Sequence, residues 1–367
     1  MIKTINTYNY NYSFNTENGF FARWGKTRDD DPLYAPLGPE IADIEISSIC
    51  FRGCKFCYKS NTTNGKNMSI FNYKRIIEVL NQNNTLTQVA LGIGDIDTNP
   101  DLEDILKYTR ECNIVPNITI NGTRMNDYYF DMLAKYCGAV SVSHYNLEST
   151  LHCINELHSR INHDNNTLKN VNIHIILCKD TLEITFKFMK EYKNFIQEKV
   201  GAIVFLTMKP IGNRNPYISN NDSKITEDEY KEIIDFAIDN GISIGFDSCG
   251  CNRFLNAIKN DNNKYEKYKI YSESCESTLF SIYVNVDGIV FPCSFCEHSL
   301  DFYHCTEFGI GYNPKDKESC ICLVDKNKKL DLLMDVWFNE RLISFRKLLI
   351  DSMKKNEHNC RECPLFS

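Results

Sequence analysis

The sequence predicts an α/β fold: a partial TIM-like (βα)6 barrel, followed by a small α+β domain that is rich in cysteine and suited to metal binding. Strand-like and helix-like segments alternate over residues 41–248, which predicts parallel strands joined by right-handed crossovers. The alternation then stops, and residues 275–367 hold eight of the seventeen cysteines. We therefore expect an N-terminal extension over residues 1–40, the barrel over 41–248, and the cysteine-rich domain over 249–367.

Each of the six units begins with an apolar strand and continues into an amphipathic helix. In the first unit, strand 41–49 leads into a loop with three cysteines, and helix 70–82 follows. The last helix, 226–240, starts with the capping box Thr226-x-x-Glu229. Four further units each pair a predicted strand with the helix that follows it: strand 87–92 with a helix from 99, strand 116–120 with helix 126–136, strand 138–144 with helix 148–161, and strand 171–177 with helix 181–198. A sixth strand, 202–208, precedes the last helix.

Six units, rather than the eight of a closed barrel, predict an open one. In such a barrel the chemistry lies where strands end and loops begin, so Cys50, Gly94 and Asn121 should meet at one rim. Beyond the barrel, a hairpin is expected around Asp287-Gly288, and an amphipathic stretch is expected near 331–350.

Composition disfavours several classes of protein. The formal charge of −7 and a pI near 5.7 disfavour a broad phosphate-binding surface, so we do not expect a nucleic-acid partner. No long apolar run or signal-peptide core is seen, which predicts a cytoplasmic protein without a membrane span. In that reducing compartment, seventeen cysteines point to metal or redox chemistry rather than to disulfides.

The strongest motif is Cys50-x3-Cys54-x2-Cys57, a tight loop in which three thiolates can face one centre. Three protein ligands on a four-iron cube leave one iron open, and an amino acid's amine and carboxylate can chelate it there. The alternative is a zinc site that a distant Cys or His completes. The position of the loop directly after the first strand of a βα series favours the cluster.

The segment CFRGCKFCY resembles the CxxxCxΦC signature of the radical S-adenosylmethionine (SAM) superfamily, with Phe56 at the aromatic position. The resemblance extends over residues 41–210 and implies a [4Fe–4S] cluster that binds SAM. It also implies an electron donor such as flavodoxin or ferredoxin. In that family the reduced cluster passes an electron to SAM, and the resulting 5′-deoxyadenosyl radical abstracts a hydrogen from the substrate.

By the same resemblance, several residues after successive strands would bind the cosubstrate. Gly92-Ile93-Gly94-Asp95 stands where the family carries a Gly-Gly-Glu-like segment that receives the methionine amino group, although Ile separates the glycines and Asp replaces Glu. The alternatives are a simple strand-end turn for the glycines and ordinary barrel-interior positions for the others. The predicted cosubstrate residues are Phe56, Gly92, Gly94, Asp95, Asn121, Ser143 and Leu206.

The C-terminal cysteines resemble the twitch or SPASM appendage of radical enzymes. Seventeen residues, Gly288 among them, separate Cys275 from Cys293, and the chain closes with Cys360-x2-Cys363. The resemblance implies an auxiliary [4Fe–4S] cluster bound by Cys275, Cys293, Cys360 and Cys363. The rival is a zinc ribbon formed by Cys293-x2-Cys296 and Cys360-x2-Cys363.

Six further cysteines belong to neither of the two predicted cluster ligand sets. Cys249 and Cys251, near the predicted barrel mouth, could donate a hydrogen atom to a substrate radical, or could be small buried hydrophobic residues. A second auxiliary metal site could be formed by Cys296, Cys305, Cys320 and Cys322.

Because twitch and SPASM appendages accompany radical enzymes that modify peptides and proteins, the resemblance implies a radical enzyme that modifies a peptide or protein side chain. The runner-up is oxidation or rearrangement of a small molecule. A different class, a non-catalytic iron–sulfur or zinc protein, predicts that no 5′-deoxyadenosine forms. RNA modification would require a basic groove, which the net charge disfavours.

Overall fold

The computed structural model describes residues 1–27, 30–161, 163, 165–212, 215, 224–297 and 321–365. The N-terminal segment forms a three-stranded antiparallel sheet, β1 (Ile2–Asn6), β2 (Asn11–Asn15) and β3 (Phe21–Trp24). Tyr12 on β2 is fully buried, and its hydroxyl donates to Thr85 O at 2.8 Å. The extension is thus packed against the main domain.

The main sheet contains the predicted parallel strands in sequential order. Its order is β10-β9-β8-β7-β6-β5-β4-β11-β12, and only the pair β11–β12 is antiparallel. The α/β prediction is therefore confirmed. The strands are β4 (Ile41–Glu45), β5 (Gln88–Gly92), β6 (Val115–Ile120), β7 (Ala139–Ser143), β8 (Asn170–Leu177), β9 (Ile203–Thr207), β10 (Ile244–Phe246), β11 (Ser281–Val284) and β12 (Val290–Phe291).

Helices connect the strands and cover the sheet. Among the described residues they are α1 (Ile70–Leu80), α2 (Leu102–Glu111), α3 (Asp127–Tyr136), α4 (Leu147–Ser159), α5 (Lys179–Glu191), α6 (Lys193–Lys199), α7 (Glu227–Asp239), α8 (Cys251–Ile258), α9 (Asn262–Lys269) and α10 (Glu340–Met353), with a π-helix at Leu332–Trp337.

Local sequence explains where these helices begin and which face they bury. The Ser69 side chain caps α1 by accepting from Asn72 N, and Thr226 and Glu229 form both bonds of the predicted capping box on α7. The predicted helix 181–198 is instead two helices, α5 and α6, with Tyr192 between them. The predicted apolar face of α1 is buried at Tyr73, Ile76, Ile77 and Leu80.

The C-terminal hairpin does not stand apart from the barrel sheet. Strand β11 pairs in parallel with β4, with Ser281 opposite Ile41 and Val284 opposite Ile44. The strand that precedes the first cysteine loop therefore borders a strand from the cysteine-rich part. The division at residues 248 and 249 stays a prediction.

No helix in the described part of the chain is both long enough and apolar enough to cross a membrane.

Candidate functional site

The cysteine loop lies between β4 and α1, at the carboxyl end of β4. Cys50 N donates to Thr62 O at 3.0 Å, so the start of the loop is tied to its far side. Gly53 has a φ of +68°, a backbone conformation that favours glycine. Cys50, Cys54 and Cys57 are half-buried free thiols. One short loop therefore presents all three predicted ligands.

The three thiols are close enough to influence one another. Burial raises the pKa of the Cys50 thiol, and negative charge on Asp95 and Cys57 adds to the rise. Burial also raises the pKa of Cys54, where Arg52 acts in the opposite direction. Thiolate ligation to iron would therefore have to displace these protons.

The predicted donor set consists of three thiols on one loop. Among the residues that the structure describes, no three His, Cys, Asp or Glu side chains converge closely enough to hold one metal ion. A [4Fe–4S] cluster has a different requirement, because it presents a separate iron to each thiolate. Three spaced thiols on one loop meet that requirement.

Asp95 braces the cysteine loop against two neighbouring loops. Its Oδ2 accepts from Phe51 N at 2.7 Å, and its Oδ1 accepts from Asn121 Nδ2 at 2.7 Å and Thr123 Oγ1 at 3.1 Å. The residue is 1% exposed, and its backbone N–H donates to Ile49 O at 3.1 Å. The structure thus brings together the predicted residues Asp95 and Asn121. Thr123 belongs to the same group, and the sequence analysis missed it.

Gly92 and Gly94 have different surroundings although the sequence suggested one role for both. A Cβ on Gly94 would lie 2.0 Å from Ile49 O and 2.7 Å from Cys50 Cβ, so only glycine fits there. A Cβ on Gly92 would meet nothing closer than Glu45 Cα at 3.4 Å, an ordinary contact. Gly94 is therefore required for the close approach of the cysteine loop.

An aromatic pair lies beside the thiols. The Phe56 ring lies 5.6 Å from the Tyr145 ring, and the Arg52 guanidinium lies 4.4 Å from the centre of the Tyr145 ring. Burial raises the pKa of Tyr145 to about 12, while a hydrogen bond with Ser143 opposes the rise. The predicted residues Phe56 and Ser143 thus meet through Tyr145. Tyr145 was not among the predicted residues, although its position two residues after Ser143 and the end of β7 was a usable signal.

Charged groups lie at the carboxyl ends of β9 and β10. Lys209 Nζ lies 3.2 Å from Asp247 Oδ2, and Thr207 Oγ1 donates to Asp247 Oδ1 at 2.8 Å. The predicted Leu206 is half-buried on β9. Burial lowers the pKa of His174 on β8 to about 4, so its imidazole is neutral at pH 7. The sequence analysis did not single out Lys209 or Asp247.

The structure gathers five thiols from the C-terminal part of the chain. Cys249 is a hydrogen-bond partner of Cys363, and the Cys293 and Cys296 sulfurs lie 3.6 Å apart. Cys275 interacts electrostatically with Cys249 and Cys293. We call Cys249, Cys275, Cys293, Cys296 and Cys363 the C-terminal thiol group. The hydrogen bond with Cys363 lowers the pKa of Cys249 to about 7.

The other predicted C-terminal cysteines lie elsewhere. Cys251 is 1% exposed on α8, and its sulfur lies 3.6 Å from that of Cys360. Cys322 Sγ lies 3.9 Å from Asp287 O. Cys305 and Cys320 lie outside the described residues.

Residues 44–173 match the family model described as the radical SAM superfamily. That segment contains the three loop cysteines, Asp95 and Asn121, so the prediction of a radical SAM domain is confirmed. The family implies a [4Fe–4S] cluster and SAM, and the match supports radical SAM chemistry for this chain. None of the curated proteins compared with the chain matches it.

Solved structures with a similar fold include SuiB of Streptococcus suis and anSMEcpe. SuiB bound to S-adenosylmethionine has a TM-score of 0.59 and 15% identity, over 90% of this chain and 78% of that chain. SuiB bound to its precursor peptide SuiA has a TM-score of 0.62 and 13% identity, over 100% of both chains. Native anSMEcpe with bound AdoMet and Kp18Cys peptide has a TM-score of 0.55 and 14% identity, over 88% of each chain. At these identities the similarity establishes the fold.

Proposed function

We propose that this chain is a radical SAM enzyme that modifies a peptide or protein side chain. Cys50, Cys54 and Cys57 would hold the [4Fe–4S] cluster. When bound, that cluster supplies one-electron cleavage of SAM and so a 5′-deoxyadenosyl radical, which abstracts a substrate hydrogen. The proposal depends chiefly on three thiols on one half-buried loop within the matched segment.

The chain's own residues would orient the cosubstrate and exclude water. Asp95 and Asn121 fix the cysteine loop relative to the loops after β5 and β6. Phe56 would form an apolar wall with Tyr145 beside the thiols. The rest of the predicted cosubstrate set, Gly92, Gly94, Ser143 and Leu206, lies at or just beyond the carboxyl ends of β5, β7 and β9, consistent with binding at the barrel rim.

An auxiliary iron–sulfur site is proposed in the C-terminal part. The set Cys275, Cys293, Cys360 and Cys363 stays our proposal from the sequence. The contacts support a second set in which Cys249 replaces Cys360, because Cys249 interacts with the other three thiols, whereas the Cys360 sulfur contacts Cys251. A hydrogen-donor role for Cys249 would then be excluded, since a ligating thiolate has no S–H bond to give.

A peptide or protein is the proposed substrate class. The support is that SuiB and anSMEcpe, whose folds are similar, were each solved with a bound peptide. The electron donor is proposed to be a flavodoxin or ferredoxin. Oxidation or rearrangement of a small molecule is the outcome expected if no peptide is modified.

The decisive experiment starts with anaerobic purification and reconstitution, followed by iron and zinc analysis. Two clusters predict about eight irons per chain, whereas one cluster with a zinc ribbon predicts about four irons and one zinc. The reduced protein should then convert SAM to 5′-deoxyadenosine. Absence of 5′-deoxyadenosine from protein with a full iron content would favour a non-catalytic iron–sulfur protein.

The substrate class is tested separately by isotope transfer. Deuterated candidate peptides, including any short precursor encoded beside the gene, are incubated with the reduced enzyme. Deuterium in 5′-deoxyadenosine, together with a mass change in the peptide, supports the peptide assignment. Transfer only from small metabolites would contradict it.

A further inference from the structure

Two cysteine loops that are distant in sequence are in direct contact. Tyr58 directly follows Cys57, and its ring lies 4.7 Å from the ring of Phe295, which lies between Cys293 and Cys296. The Tyr58 hydroxyl also contacts Ser294 Oγ at 3.3 Å. The loop that carries the radical SAM thiols thus packs against the loop that carries two members of the C-terminal thiol group.

Lys59 is a buried cation shared by both sides of this contact. Its Nζ lies 3.3 Å from Glu45 Oε1 at the end of β4 and 2.5 Å from Tyr283 OH on β11. It also forms an ion pair with Glu297, the residue after Cys296. The side chains of Lys59, Glu45 and Glu297 are 10%, 5% and 13% exposed, so solvent screens their charges poorly.

The surrounding bonds hold the two carboxylates in place. Glu297 accepts from Tyr283 OH at 3.0 Å and from Asn285 Nδ2 at 2.8 Å. Glu45 Oε2 accepts from Val286 N at 3.2 Å. Two carboxylates and one ammonium give the cluster a net charge of −1. This charge lies two residues from Cys57 on one side and next to Cys296 on the other.

We infer that Lys59 and Glu297 are positioning residues that couple the two metal sites, holding the cysteine loops together and placing one buried charge cluster beside both iron–sulfur centres. The inference rests on the proposed function, since it requires that the thiols bind clusters. A buried charge near a redox centre changes the cost of adding an electron, so it sets the reduction potential. The same side chains would therefore influence both potentials.

The chain offers a matched control for Lys59. Lys66 belongs to the same cysteine loop as Lys59. It contacts Asp287 in the β11–β12 hairpin, which also contains Tyr283, with Nζ 2.8 Å from Oδ1. This ion pair is exposed, because 66% of the Lys66 side chain and 46% of the Asp287 side chain are accessible to solvent. Exposed pairs of this kind contribute little and are screened by salt. Lys66→Met should leave both potentials at the wild-type values.

The test is an EPR-monitored redox titration of the reconstituted full chain, with all variants measured at the same pH. Addition of SAM identifies the signal of the cluster with the open iron. Glu297→Gln removes a negative charge and should raise the reduction potential, whereas Lys59→Met removes a positive charge and should lower it. The double variant Lys59→Met/Glu297→Gln keeps the wild-type net charge, and its reduction potentials should be close to those of wild type.

Opposite shifts of both potentials in the two single variants support the coupling, because simple loosening of the loops would move the potentials of both variants in the same direction. The inference is overturned if Glu297→Gln, with a full iron content, leaves either potential unchanged. It is also overturned if the two single variants shift alike. If Lys59→Met does not fold, Glu297→Gln and the double variant still test the inference. Failure of the proposed function is distinct, since it appears in wild type as missing iron or missing 5′-deoxyadenosine.

Discussion

The cysteine loop between β4 and α1, which we call the radical SAM loop, differs from the C-terminal thiol group in how its cysteines are brought together. Cys50, Cys54 and Cys57 belong to one loop of the chain and need no other segment to become neighbours. The C-terminal thiol group combines cysteines from residues 249 to 363, which meet only when several elements have packed. Closing such long segments costs chain entropy that tertiary contacts must offset.

Identifiable contacts hold together the elements of the C-terminal part of the chain. Trp337, on the π-helix before α10, is fully buried, and its Nε1 donates to Ala35 O at 2.7 Å. Arg346 on α10 donates to Thr278 O at 2.6 Å, just before β11. The C-terminal site therefore depends on the integrity of the whole domain. The radical SAM loop takes its three thiols from one short segment, although it also packs against Phe295 and Glu297.

The largest expected effect tests whether the radical SAM loop is required for SAM cleavage. Cys54→Ala should remove about four irons per chain and lower 5′-deoxyadenosine formation below detection, because a cluster ligand is lost. Cys112→Ala, at a half-buried thiol at the end of α2, is the control and should keep both. Normal 5′-deoxyadenosine formation by Cys54→Ala would contradict the cluster assignment.

The next prediction asks whether the loop needs its close approach to β5. Gly94→Ala places a Cβ 2.0 Å from Ile49 O, so the cysteine loop must move. Displacements of about 1 Å at reacting groups can cost about a hundredfold in rate, and we expect a loss of that order in SAM cleavage. Gly92→Ala meets nothing closer than 3.4 Å and should stay within about twofold of wild type. Equal losses in both variants would argue that the two glycines share a role.

A third prediction concerns the distributed site. Cys249→Ala should lose the auxiliary iron and the product while 5′-deoxyadenosine still forms, because all three cysteines of the radical SAM loop are unchanged. Cys360→Ala should retain more iron, since the Cys360 sulfur contacts Cys251. Iron content and the ratio of product to 5′-deoxyadenosine are the measurements. The reverse ranking would support the set with Cys360, and unchanged product in both variants would remove the auxiliary-cluster proposal.

The parallel sheet could be predicted from sequence because each strand and helix leaves a local pattern. The predicted and observed elements differ where tertiary contacts determine the structure. The strand predicted at 41–49 ends at Glu45, since the following residues leave the sheet and bridge within the cysteine loop, Ser47 to Asn67 and Ile49 to Thr62. The N-terminal sheet was not predicted, although the alternating Tyr10, Tyr12 and Phe14, all buried, gave a period-two signal.

The candidate site divides in the same way. The cysteine motif and the residues after each strand could be read from sequence, because the topology of a parallel sheet places those positions on one rim. The hydrogen bonds of Asp95 to Thr123, the packing of Tyr145 on Phe56 and the proximity of Cys249 to Cys363 could not. Such contacts depend on side-chain packing between segments that no local pattern links.

The smallest expected effect tests what joins the two regions. Tyr58→Phe removes only the 3.3 Å contact with Ser294 Oγ, and the free energy of unfolding should fall by about 1 kcal/mol or less. Tyr58→Ala also removes the ring that packs on Phe295 and should cost about 3 kcal/mol or more. Anaerobic denaturant unfolding of the reconstituted protein measures both. Equal losses in the two variants would show that the hydroxyl, rather than ring packing, joins the loops.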